Sequence, residues 1–214
     1  MNTSDLEEAE KTAIDAAEAI LKVFDFAIPV LRELSRLVAD NTSLSLHEYD
    51  QVHHSLMDEA VVTRFIKSHS RIHRFVYSLF LLDKKDGHAG KAKSESVPFI
   101  LVSLINSEDR RPPCIVYGVL KRLSKAESMT DKNFAGFFMF WLNENLNKIS
   151  LPENMKGDGW ELKHELKGNV GKEKLQALVS FQVKKHLFDI TEDNLGEQAE
   201  IIAGWFGKHL NLPN

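Results

Sequence analysis

The chain has 214 residues, 43% hydrophobic and 27% charged, with a formal net charge of −4. That length supports one sizeable core or two small ones without a metal, and with Cys114 as the sole cysteine no intrachain disulfide can form, which suits a reducing compartment. No apolar run approaches the roughly 20 residues that span a bilayer, and Asp5, Glu7, Glu8 and Glu10 do not make a secretory signal, so the expectation is a cytoplasmic protein with no membrane partner.

Charge is spread unevenly along the chain. Residues 1–60 carry 4 Lys/Arg against 13 Asp/Glu, whereas residues 61–130 carry 13 against 6. The basic segment, taken as 61–125 with Arg71, Arg74, Arg110 and Arg111 as its candidate binding residues, either meets nucleic acid or an acidic partner, or neutralises the acidic N-terminal segment within one fold.

Residues 6–40 read as a helix, with Ile14, Ala17, Leu21, Phe24, Ile28 and Leu31 recurring at spacings of three and four. Pro29 removes one amide donor and is expected to kink or split it. Asn41 to Ser45 is a polar break, and Ser45 with Glu48 has capping-box spacing, which predicts a second helix start. From Leu46 to about Lys85 there is no Gly or Pro, so one long helix or two with a tight corner are expected there. Asp86 to Ser96 reads as a loop and a candidate domain boundary.

After that loop the period changes. Phe99 to Ile105 and Cys114 to Leu120 are apolar runs that predict two buried strands. Thr130, Asp131 and Asn133 precede a helix lined by Phe134, Phe137, Phe138, Trp141 and Leu142. Trp160, Leu162, His164 and Leu166 alternate with Glu161, Lys163, Glu165 and Lys167, the mark of a strand with one wet face. Gly168 and Gly171 flank a turn, Leu175 to Val183 form a further alternating run, and Thr191 is read as opening a helix whose apolar side is Leu195, Ala199, Ile202, Trp205 and Phe206.

A shift of 61 residues lays the first strand–strand–helix unit on the second. Phe99 falls on Trp160, Cys114 on Leu175, and Thr130 to Asn133 on Thr191 to Asn194. Two ββα units are therefore expected, either duplicated or alike by chance. The fold class is α+β: an N-terminal helical region of two long helices, 1–86, then an antiparallel sheet domain, 97–214, built from units 97–149 and 158–210, with two helices on one face. The two regions are either separate domains or one compact unit.

Four constellations bear on chemistry. His69 and His73 have metal-ligand spacing on a helix, and on an unbroken helix His54 and Asp58 share the face of His69. Fifteen residues separate His54 from His69, about 22 Å along a helix, so one ion cannot bind both and no metal site is expected. Cys114 lies inside an apolar strand and is expected to be inert. Glu161-x-Lys163 and Glu165-x-Lys167 resemble the carboxylate–lysine end of the PD-(D/E)xK nucleases. That fold also takes an acidic residue from a neighbouring strand, and Cys114 to Leu120 has none, so these residues are read as a solvated strand face.

Arg64 and His69 are spaced Arg-x4-His, and the segment resembles the motif of HEPN ribonucleases, with Phe65 where that motif commonly has a polar residue. The resemblance implies a helical, usually dimeric, metal-independent ribonuclease with Arg64 and His69 as catalytic residues. The expectation set against it is a non-enzymatic adaptor or accessory subunit that needs no cofactor. It would bind a protein partner or a second copy through its helices and through the aromatic side chains Phe137, Phe138 and Trp141.

Overall fold

The computed structural model describes residues 3–46, 75–81, 95–104, 113–123, 131–146, 161–170, 173–184 and 187–211. Helix α1 spans Thr3–Asp40 and is followed by a two-residue strand, β1, Ser45–Leu46. Strands β2, Phe75–Leu81, β3, Ser96–Ser103, and β4, Cys114–Arg122, lead to helix α2, Asp131–Asn145. Strands β5, Glu161–Val170, and β6, Glu173–Lys184, a 3-10 turn at Leu187–Asp189 and helix α3, Leu195–Leu210, complete the described fold. The described strands form one antiparallel sheet in the order β1-β2-β3-β4-β6-β5, so the chain is an α+β protein.

Three layers result, because the central strands are apolar on both faces. Ile115, Tyr117 and Val119 of β4 point to one core with α1 and α3, whereas Val116 and Leu120 point to the other with α2. The first core closes around Phe80 and Phe206, whose ring centroids are 5.6 Å apart edge to face, and Tyr117 and Trp205 at 5.5 Å. In the second, Phe99 and Phe181 flank Gly118 from the two neighbouring strands. A Cβ at that position would overlap the Ser180 carbonyl oxygen, so the sheet can close over this point only with glycine.

Several expectations are corrected here. Phe75–Leu81 is a strand and not the end of a long helix; a run apolar on both faces carries no period, and its aromatic and β-branched residues suit a sheet buried on both sides. Ser45 pairs with Leu81 in a strand, β1, where a helix start is expected, while the rest of the expected second helix, 47–74 and 82–85, lies outside the described residues. Helices α2 and α3 lie on opposite faces of the sheet, so the rotation that carries β3–β4 onto β5–β6 does not carry α2 onto α3. Helix α3 begins at Leu195 because Asn194 Oδ1 accepts the Thr191 amide and holds residues 191–194 as a turn.

Pro29 neither splits α1 nor touches the core. It sits on the exposed side of a helix whose Phe24, Ile28 and Leu31 are buried, so the carbonyl left without a donor can be solvated. Pro29→Ala should therefore stabilise the protein by about 1–3 kcal/mol. The check is a higher urea midpoint at unchanged slope; a lower midpoint would show that Pro29 is needed for α1 to follow the sheet.

Near its C-terminal end α1 carries an exposed charge cluster. Arg36 Nη2 donates to Glu33 Oε1 and Nη1 to Asp40 Oδ2, both at 2.6 Å. The hydrogen bond from Arg36 holds the Glu33 carboxyl below its usual range. Its stabilisation is present at neutral pH and fades as pH falls through that lowered value, and at this exposure it is slight.

Candidate functional site

The buried stripe of α1 runs from Phe24 through Ala27, Ile28, Leu31 and Leu34 to Val38, against the sheet and α3. The same side of the helix continues toward the N-terminus as Leu6, Ala9, Ala13 and Ile20, by the 100° step of an α-helix. There the packing stops. From Leu6 to Ala16, and again at Glu18 and Ala19, the side chains are exposed, and Leu6, Ile14 and Leu21 are 51%, 53% and 60% accessible. About 20 Å of helix therefore extends past the body at 1.5 Å per residue. Where it meets the body, Ala19, Ile20, Val23, Phe24 and Leu104 line a cavity of about 150 Å³ with no titratable group.

A second surface forms where α2 crosses β5. Phe134 and Phe138 are fully buried with centroids 5.0 Å apart, so Phe138 belongs to the core. Phe137 and Trp141 are half-buried and reach the outer strand. The Phe137 ring lies over Gly168, close enough that a Cβ there would overlap it, and Trp141 stacks on His164 with centroids 5.5 Å apart at 22°. Helix α2 is tied to β4 at its start. Arg122 Nη2 donates to Asp131 Oδ1 at 2.6 Å, and the guanidinium carbon lies 4.0 Å from the centroid of the Phe134 ring. The Asp131 carboxylate also sits in the first turn of α2, where the helix dipole favours negative charge.

Strand β5 is the third surface. It is ten residues long and forms one end of the sheet among the described residues. His164, Leu166 and Gly168 face α2, while Lys163, Glu165 and Lys167 are exposed on the other side, with Lys167 Nζ 3.3 Å from Glu165 Oε1.

The chain matches no family model, no curated protein and no solved structure.

Of the residues singled out for binding or catalysis, Phe137, Phe138 and Trp141 are described. Arg64, His69, Arg71, Arg74, Arg110 and Arg111 lie outside the described residues, as do His54, Asp58 and His73. From the basic segment the described residues include only Lys121, which is exposed, and Arg122, whose charge is taken up inside the fold by Asp131. Among the described residues there is no group of three or more His, Cys, Asp or Glu side chains arranged to hold a metal, and no helix long and apolar enough to cross a membrane. The projecting half of α1 was not distinguished from the packed half by periodicity, because the stripe is continuous. The usable signal was side-chain size, since Ala9, Ala13 and Ala16 give way to Phe24, Ile28 and Leu31.

Proposed function

We propose that this protein is a non-enzymatic, cytoplasmic protein–protein interaction subunit that engages its partner through the N-terminal half of α1. The observation that carries this reading is the apolar seam of α1 continuing from the core into solvent through the exposed Leu6, Ala9 and Ala13, with the exposed Ile14 beside it. A helix that has no packed face gains little from propensity alone, and an amphipathic one is completed by laying its apolar side into a groove or against another helix.

The test separates binding from folding. Removing residues 1–18 spares Phe24 to Val38 and should leave the unfolding midpoint within a few degrees, since surface residues contribute little to stability. The full chain should capture a stoichiometric partner that the shortened chain does not, and Leu6→Asp with Ile14→Asp should lose it too. Equal capture by all three chains would overturn the proposal.

A further inference from the structure

We infer that β5, the end strand of the sheet among the described residues, pairs with a second copy of this chain across a two-fold axis that runs normal to the sheet at His164. The order of charges along β5 selects that arrangement. Antiparallel pairing centred on His164 sets position 163 opposite 165 of the other copy, and 161 opposite 167. The sequence places Lys opposite Glu at every one of these contacts: Lys163 with Glu165, and Glu161 with Lys167, each twice by symmetry.

Neighbouring registers do not share this property. Centred on position 163, Lys163 meets its own copy and Glu161 meets Glu165. Centred on 165, Glu165 meets its own copy and Lys163 meets Lys167. A centre between two residues would bring opposite faces of the sheet together and is not available to this axis. Registers centred on Leu162 or Leu166 keep only two of the four opposite-charge contacts. An edge strand guarded by lysines alone would repel its copy, whereas strict alternation of sign discourages the wrong registers and favours one.

The opposite face of the strand supports the same axis. On that side His164 meets its own copy, carrying the Trp141 stack with it, and the two α2 helices lie on one face of the joined sheet. The half-buried Trp141 and Phe137 would then border the seam.

Self-pairing of β5 is independent of the partner-binding role given to α1, and truncation distinguishes the two. Sedimentation equilibrium of the full chain should show a monomer–dimer equilibrium below about 200 µM, weakened by salt, as suits a small polar interface. Lys163→Glu and Glu165→Lys should each weaken the dimer about tenfold or more, since each turns two attractive cross-strand contacts repulsive. The double variant Lys163→Glu with Glu165→Lys should dimerise again, and the two single variants, mixed, should form a heterodimer. Removing residues 1–18 should leave the dimer intact. A chain that stays monomeric throughout, single reversals without effect, or a double variant and a mixture that both fail to associate would each overturn it.

Discussion

Asp131→Ala should destabilise the protein by about 3–5 kcal/mol, because it removes the buried carboxylate to which the Arg122 guanidinium is hydrogen-bonded. The two side chains are 10% and 2% accessible and their bond is 2.6 Å long. An exposed pair of the same geometry would be worth at most about 1 kcal/mol, so burial decides the magnitude. Arg122→Met should also be destabilising, since it takes the guanidinium away from the more deeply buried Asp131 carboxylate even though a methionine can keep a flexible chain against Phe134. The decisive measurement is the double-mutant cycle in urea. If the double variant Arg122→Met with Asp131→Ala costs as much as the two single changes together, the residues are not coupled and this account of how α2 is anchored fails.

Gly118→Val should lower the unfolding midpoint by roughly 6–12 °C, corresponding to about 3 kcal/mol of overpacking in a chain of this size. A Cβ at position 118 would lie 2.7 Å from Phe181 Cβ and 2.9 Å from Phe99 Cζ, besides overlapping the Ser180 carbonyl oxygen. Rings can rotate away, but the carbonyl belongs to the β4–β6 ladder, where Gly118 pairs with Phe181 and Val119 with Ser180. Relief must therefore come from spreading the centre of the sheet. Gly204 provides the control: it is exposed on α3 with nothing within 4 Å of an added Cβ, so Gly204→Ala should stabilise by about 0.5–1 kcal/mol. Equal behaviour of the two glycines would refute the packing argument.

Legibility of the fold in the residues follows from periodicity. Strand β6, which alternates Leu175, Ala177, Val179, Phe181 and Val183 inward, and helices α2 and α3, with clear apolar sides, could be read directly. Strand β2 could not. Phe75 to Leu81 faces a core on each side, and a segment apolar all round looks the same whether wound or extended. The side on which a helix lands was equally hidden, because β4 offers apolar residues to both faces. For the candidate surfaces, the alternation in β5 identified a wet face, but only the strand order puts that strand at one end of the sheet among the described residues.

The unequal packing of α1 has a consequence for how the molecule opens. Amide protons between Phe24 and Val38 can exchange with solvent only when the whole core comes apart, whereas those between Leu6 and Ala16, where the side chains are exposed, need only a local opening. One continuous helix would thus belong to two cooperative units, with the junction near Ile20, and trypsin should nick Lys11 in native molecules long before it reaches the sheet.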